Sequence, residues 1–113
     1  MPILKLLEES PIVDSFEVLR FSQWNSGAYV KLKIYIIDGT LLHVREYIDE
    51  KERHYSFHWQ DENACLICRW DNSWHHPYIQ THPHHKHERK EVKESHETSL
   101  KDILTCIQKT LNP

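Results

Sequence analysis

Residues 29–48 read YVKLKIYIIDGTLLHVREYI, and this alternating stretch decides the fold. Apolar residues occupy every second position of its first half: Val30, Leu32, Ile34 and Ile36. Such alternation predicts a β-strand that turns one face to the core and the other to water. Asp38-Gly39 is a type I′ hairpin signal, and the chain then returns with Leu42 and Val44 in phase with the core side. The stretch therefore predicts an antiparallel hairpin.

Two further strands are predicted after the hairpin. Residues 53–60 alternate again, and one side carries three aromatic residues that we assign to the core: Tyr55, Phe57 and Trp59. His58 belongs to the opposite, polar side. Residues 64–70 repeat the alternation after a short turn, which predicts another strand of the same sheet.

Elements toward both ends of the chain complete the predicted fold. Residues 12–24 are rich in strand-forming residues and predict a first strand. Pro2 opens a short amphipathic helix, and a longer helix is expected over residues 98–111, where apolar residues recur at helical spacing. The chain is thus expected to be a single α+β domain, residues 1–113. Its antiparallel meander sheet of about five strands, residues 12–71, is packed by the two helices.

The composition is that of an ordinary folded domain, with 39% hydrophobic and 27% charged residues. A formal net charge of −3 argues against strong general attraction to nucleic acid, so RNA binding has to use a local basic face. The first residues lack a cleavable signal pattern, and no apolar run approaches the roughly 20 residues of a membrane span. A cytoplasmic protein without membrane contact is therefore expected. The chain has two glycines and no Gly-rich phosphate loop, which excludes nucleotide-hydrolysing folds of the P-loop or Rossmann type.

Cys65 and Cys68 form a C-x-x-C motif, and the chain contains three cysteines in all. The motif falls on a predicted strand, where an odd offset places the two thiols on opposite faces. We therefore interpret the cysteines as reduced thiols, and the motif as neither a redox pair nor a zinc knuckle.

Residues 72–87 are predicted to form a histidine-rich loop, which its prolines prevent from being helical. From Arg69 to His87 the chain holds six of its ten histidines within nineteen residues. Imidazole titrates near neutral pH and is a common metal ligand. Long irregular loops in small domains usually carry function, so this loop is the candidate functional element.

Metal-independent cleavage of RNA is the first hypothesis for this loop. His58 is expected beside Arg69 and Asp71, because cross-strand neighbours lie about 5 Å apart, and loop histidines would close the site. One histidine would remove the proton of the RNA 2′-hydroxyl, another would protonate the leaving 5′ oxygen, and Arg69 or Lys86 would stabilise the charge on the phosphoryl group. Asp71 would orient an imidazole.

A zinc or nickel site is the alternative, with four histidines of the loop as ligands: His82, His84, His85 and His87. In an extended chain, residues two positions apart point the same way, which pairs these ligands. Carboxylates are scarce in the loop, so a hard ion such as magnesium is not expected. A non-catalytic binding protein that uses the same loop is also compatible with the sequence. We interpret the remaining histidines His43, His54 and His96 as surface residues.

The order of the motifs resembles that of a known family. The motifs are YSFHWQ at residues 55–60, RWDN at 69–72, HHP at 75–77 and PHHKH at 83–87. In this order they are similar to the TumE-like toxins of prokaryotic type II toxin-antitoxin systems, and the resemblance covers nearly the whole chain. It implies a toxin that arrests growth and an antitoxin partner encoded beside it. It also singles out seven motif positions: His58, Arg69, Asp71, His76, His84, His85 and His87.

From the residues and the resemblance together, we expect an RNA endonuclease in which His58 and His85 are the general acid/base pair. Arg69 and Lys86 are the expected phosphate stabilisers. This chemistry requires no cofactor. The expected partners are the antitoxin and RNA, without a membrane, and self-association into a homo-oligomer is compatible with the sequence.

Overall fold

An antiparallel sheet is the main element of the computed structural model, which describes residues 2–72, 84–88, 91–94 and 97–112. Within these residues the sheet has seven strands, and their spatial order is their order in the chain. The strands are β1 (Val13–Trp24), β2 (Gly27–Ile36), β3 (Leu41–Ile48), β4 (Arg53–Gln60), β5 (Leu66–Asp71), β6 (His85–Glu88) and β7 (Glu91–Glu94). The helices are α1 (Pro2–Glu9) and α2 (Leu100–Leu111). The predicted α+β meander is confirmed, and β6 takes in the last residues of the predicted loop.

The two helices pack on one face of the sheet, which we call the helix-covered face. Leu7 of α1 and Ile103 and Ile107 of α2 belong to the same buried cluster as the apolar residues of the strands. The strand members are those that the alternation assigned to the core, among them Leu32, Ile34, Leu42, Val44, Tyr55, Phe57 and Trp59. Alternate residues of the strands point to the opposite face, which we call the open face.

Helix α2 starts at Leu100, directly after a serine that caps it. Ser99 caps α2, and its side chain accepts a hydrogen bond from the Asp102 amide while the Asp102 carboxylate accepts from the Ser99 amide. This reciprocal capping box satisfies donors that the first turn of a helix leaves unpaired. Neither α1 nor α2 is long and apolar enough to cross a membrane.

The hairpin between β2 and β3 is present, but its predicted type I′ turn is wrong. A type I′ turn needs positive φ at both central residues, whereas at Asp38-Gly39 it is Gly39 that has a positive φ, of 92°. Instead, the Gly39 amide donates to the Ile36 carbonyl and the Ile36 amide donates to Thr40, each at 3.0 Å. This is a three-residue loop that ends in a left-handed glycine. The carboxylate of Asp38 braces it by accepting from the Thr40 amide at 3.0 Å.

A similar loop joins β4 to β5, but its left-handed position is filled by alanine. Ala64 has a φ of 63°, a conformation in which a Cβ atom crowds the backbone. Asp61 holds the turn, since its carboxylate accepts from the amides of Asn63 and Cys65 at 2.8 and 3.0 Å. Cys65 is exposed whereas Cys68 is buried and its thiol is free. Burial raises the pKa of the Cys68 thiol to about 12, in agreement with its interpretation as an inert structural residue.

We predict that Ala64→Gly stabilises the protein, because glycine adopts positive φ without the Cβ clash. The expected gain in the free energy of unfolding is about 0.5–1 kcal/mol, after allowing for the greater freedom of glycine in the unfolded chain. The matched control is Gly39→Ala, which introduces the same strain at the other loop and should cost about 1 kcal/mol. Urea unfolding monitored by tryptophan fluorescence measures both changes. A loss of stability in Ala64→Gly would contradict this account of the turn.

Candidate functional site

A row of basic side chains crosses the open face at right angles to the strands. In the ladders, His43 of β3 pairs with His58 of β4, His58 pairs with Arg69 of β5, and Arg69 pairs with His87 of β6. Residues that pair directly project from the same face of a sheet. The meander therefore sets four basic groups side by side, one from each of four successive strands. We call these four residues the basic row.

Arg69 is the centre of the basic row. Its Nη1 lies 3.4 Å from Nδ1 of His58, and its Nε donates to Oδ2 of Asp71 at 3.1 Å. A guanidinium has no acceptor, so Nδ1 of His58 accepts this bond and the neutral ring carries its proton on Nε2. The same Asp71 oxygen lies 3.5 Å from Nε2 of His87. Asp71 is only 5% exposed, so its carboxylate holds two members of the basic row with little competition from water.

His43 and His58 are held in the neutral form. Burial lowers the pKa of His58 from its ordinary value of 6.5, and the charge of Arg69 lowers it further, whereas a hydrogen bond that the ring donates to the side chain of Gln60 raises it. The pKa of His43 is also lowered, first by burial and then by repulsion from neighbouring positive charges, that of the protonated form of His58 and those of two lysines on β2. The two imidazole rings are tilted, with their centroids 6.0 Å apart. A neutral imidazole near pH 7 is the form that a general base requires.

An open cleft of about 430 Å³ lies over three residues of the basic row, His43, His58 and Arg69. Its walls carry three cations of the open face, Lys31, Arg45 and Arg69, together with the imidazoles of His43 and His58. The chain as a whole has a formal net charge of −3. A local basic face therefore exists on a slightly acidic protein, and such a face attracts anions through the local field.

The structure divides the predicted site residues between the two faces of the sheet. His58, Arg69, Asp71 and His87 come together on the open face, as described above. His84 and Lys86 lie on the helix-covered face instead. Nδ1 of His84 is 3.0 Å from the hydroxyl of Tyr55, a core residue, and the two rings are stacked with centroids 5.9 Å apart. Lys86 pairs with Trp70 in the ladder, and its Nζ is 3.2 Å from a Glu88 carboxylate oxygen.

Three predicted site residues are either described by their backbone alone or lie outside the described residues: His85, His76 and His82. The backbone of His85 pairs with Asp71, two residues along the strands from the Arg69–His87 pair of the basic row. His76 and His82 lie outside the described residues, so their predicted contributions from the loop stay predictions. Among the residues that the structure describes, no three His, Cys, Asp or Glu side chains form a group that could hold a metal ion.

His43 is the site residue that sequence reasoning missed. From the sequence it is interpreted as a surface residue, although it lies on the same polar side of β3 as Arg45. The signal that could have found it is the four-residue turn 49–52. This turn pairs Ile48 with Arg53, and the antiparallel count back from that pair sets His43 opposite His58. The alternation along a strand shows on which face of the sheet a histidine lies. The length of the turn shows which residue of the next strand stands opposite it.

Asn72, the last residue of the RWDN motif, has a structural role at the end of β5. It is buried, at 7% exposure. Its Oδ1 accepts from the Tyr55 amide at 2.9 Å, and its Nδ2 donates to the Arg53 carbonyl at 2.6 Å. The side chain thus extends the contact between β4 and β5 beyond their last backbone pair, Ser56 with Asp71. This bracing fixes the strand end from which Asp71 projects.

We predict that Asn72→Ala lowers the free energy of unfolding by about 2–3 kcal/mol. The substitution leaves the buried amide of Tyr55 and the partly buried carbonyl of Arg53 without this partner. The control is Asn63→Ala, at an exposed turn position, for which we expect a change within about 0.5 kcal/mol. Chemical denaturation of both variants measures the difference. Equal stability of the two variants would refute the bracing role.

We predict that Arg69→Met raises the pKa of His58, since it removes a positive charge and leaves the burial largely intact. The pKa should move up toward the ordinary value of 6.5, without fully reaching it because burial still opposes the charged form. NMR titration of the histidine ring signals measures this directly. Lys101→Met on α2 removes a charge far from the basic row and should leave His58 unchanged. An unchanged His58 pKa in Arg69→Met would rule out the electrostatic coupling.

A comparison with protein families bears on this site. The family model described as Toxin TumE matches residues 3–111, a range that includes every residue of the basic row and, apart from Pro2, both helices. No curated protein matches the chain, and no solved structure matches it.

Proposed function

Because the chain belongs to the TumE toxin family, we propose that it is a toxin that cleaves RNA through the 2′-hydroxyl of its substrate. Membership indicates the toxin of a toxin-antitoxin system and implies an antitoxin partner. The proposal adds the chemistry, and one observation supports it: a guanidinium flanked by two imidazoles on the open face, His58 on one side of Arg69 and His87 on the other.

The spacing of the basic row suits in-line displacement at phosphorus. Neighbouring strands lie about 4.8 Å apart, so the backbones of His58 and His87 are roughly 10 Å apart with Arg69 between them. A phosphodiester bound to the guanidinium would have one imidazole on each side. The attacking and leaving oxygens lie on opposite sides of phosphorus in such a displacement. Each would then face its own proton-transfer group.

His58 is the proposed general base. Its Nδ1 accepts a long hydrogen bond from Arg69 at 3.4 Å, and a phosphate that draws the guanidinium toward itself frees this nitrogen. The lone pair of Nδ1 then takes the proton of the 2′-hydroxyl. The 2′ oxygen bonds to phosphorus as the bond to the 5′ oxygen breaks. Arg69 stabilises the negative charge that develops on the phosphoryl oxygens.

His87 is the proposed general acid. The buried Asp71 carboxylate, 3.5 Å from Nε2 of His87, stabilises the protonated ring and orients it. A proton from this ring passes to the departing 5′ oxygen. The products are a 2′,3′-cyclic phosphate and a 5′-hydroxyl end, and the protons balance without a cofactor. His85, the acid predicted from the sequence, is the second candidate, since its backbone pairs with Asp71.

We predict that His58→Ala lowers the turnover number for RNA cleavage by about 10²–10⁴, the usual contribution of a positioned acid or base. A loss of the same order is expected for one of two further variants, His87→Ala or His85→Ala. The variant that shows this loss identifies the general acid. The control is Gln108→Ala, at an exposed position of α2, for which the turnover number should stay within about two-fold of wild type. The assay follows a labelled RNA and identifies the cyclic phosphate at the new end. Cleavage that survives in His58→Ala would eliminate the mechanism.

A companion experiment tests the toxin role in cells. Induced expression in a bacterial host is scored for growth and for the integrity of total RNA, with wild type and His58→Ala compared at equal protein levels. The expected result is growth arrest with RNA fragmentation in the wild type and neither in the variant. Growth arrest with intact RNA would leave the toxin role in place but reject ribonuclease chemistry. Normal growth with intact RNA in both strains would count against both.

A further inference from the structure

Aromatic side chains stand on the open face beyond the basic row, toward the β1–β2 turn. Tyr29 of β2 pairs with Tyr47 of β3, and the ring centroid of Trp24 lies 5.7 Å from that of Tyr47. Trp24 is 39% exposed. We call these three residues the aromatic cluster. Tyr29 and Tyr47 are partly exposed, and the hydroxyl of Tyr47 donates to Asp49 at 2.6 Å. Trp24 is the most exposed ring of the three, and a large aromatic ring on a polar face can stack on a ligand.

A line of cations separates the aromatic cluster from the basic row. Arg20 of β1 pairs with Lys31 of β2, and Lys31 pairs with Arg45 of β3. The guanidinium carbon of Arg20 lies 5.9 Å from the centre of the Tyr29 ring. These cations are two residues along the strands from the basic row, and Tyr29 and Tyr47 are two residues further. At about 3.3 Å per residue, the aromatic cluster is therefore roughly 13 Å from the basic row.

We propose that single-stranded RNA binds along this path, with its backbone on the cation line and its bases stacked on the aromatic cluster. Aromatic platforms beside a basic groove are the common means of holding a single strand, because every base has a stacking face and the backbone is evenly charged. A duplex hides its base faces and cannot use the cluster in this way. The inference rests on the proposed function, since the strand that binds here is the one whose phosphodiester reaches Arg69.

Charge favours RNA over a protein as the occupant of this path. Three cations in one line, Arg20, Lys31 and Arg45, with Arg69 in the adjoining cleft, match the regular charge of a phosphate backbone. The chain has more acidic than basic residues, 17 against 14, so this gathering of cations on one face is local. A partner protein would need a matching line of carboxylates beside an apolar anchor, which is a much narrower requirement.

The binding test uses an RNA that cannot be cleaved. A fluorescent 2′-O-methyl oligonucleotide of about 12 nucleotides, a length within the range that such surfaces hold, lacks the attacking hydroxyl, so the wild-type protein can be titrated. Trp24→Leu should weaken its binding about ten-fold, the loss of one stacked base. The matched control is Phe21→Leu: Phe21 is an exposed aromatic residue of the same strand, 44% exposed, but pairs with core residue Val30. Its binding should stay within about two-fold of wild type.

Salt dependence tests the cation line separately and does not depend on the fold around Trp24. Arg45→Gln should weaken binding and reduce the slope of log affinity against log salt by about one phosphate contact. Lys101→Gln, on the exposed side of α2, changes net charge equally and should leave the slope unchanged. Equal slopes for the two variants would overturn the proposal. So would a duplex of the same sequence that binds as tightly as the single strand.

Cleavage assays on ordinary RNA separate this inference from the proposed function. If Trp24→Leu weakens oligonucleotide binding but wild type cleaves no RNA, the binding path stands and the ribonuclease fails. If wild type cleaves RNA and Trp24→Leu binds the oligonucleotide as wild type does, the ribonuclease stands and the binding path fails. A Trp24→Leu variant that binds RNA normally but no longer binds its antitoxin would assign the cluster to protein recognition and reject the inference.

Discussion

The antiparallel register of β3, β4 and β5 is the constraint on which the candidate site depends. Backbone hydrogen bonds fix which residues of neighbouring strands stand opposite each other, and thereby place His43, His58 and Arg69 in one line. A slip of one residue would exchange the two faces of a strand and bury polar groups in the core. The apolar residues that face the helices therefore enforce the register. Packing on the helix-covered face indirectly positions the chemistry on the open face.

The end of β5 shows how the same constraint is reinforced where it is weakest. The last pair between β4 and β5 joins Ser56 to Asp71, and a strand end without further support would fray. Asn72 supplies that support through its bonds to the backbone of β4. The neighbouring Asp71 is buried and contacts both Arg69 and His87. In the RWDN motif, the amide of Asn72 therefore fixes the backbone of β4, and the adjacent carboxylate of Asp71 fixes the side chains of Arg69 and His87.

Sequence reasoning predicted the fold well because the hydrophobic alternation is regular from β2 to β5. It also predicted that His58 would lie beside Arg69 and Asp71, which requires only the phase of two strands. Sequence reasoning failed where the alternation of the strands was not sufficient to place a residue. His43 was missed because its neighbour depends on the length of a turn. Lys86 was grouped with His87 although residues one position apart on a strand point to opposite faces. His84 was grouped with them too, but it precedes β6 and contacts Tyr55 on the helix-covered face.

The alternation of side chains between the two faces of the sheet also explains how a slightly acidic chain presents a basic surface. On the helix-covered face the cations are matched with carboxylates: Arg53 lies 3.3 Å from Glu46 and 3.3 Å from Glu97. The guanidinium of Arg53 also stacks on Tyr55, with 4.4 Å between its carbon and the ring centre. On the open face Arg69 also contacts a carboxylate, that of Asp71, whereas Lys31 and Arg45 line a cleft with the imidazoles of His43 and His58. The net charge sums the charges of the whole chain, whereas an anion that binds to one face of the sheet interacts mainly with the charges of that face. A formal charge of −3 is therefore compatible with a surface that attracts phosphate, because the carboxylates that set the total are spread over other parts of the chain.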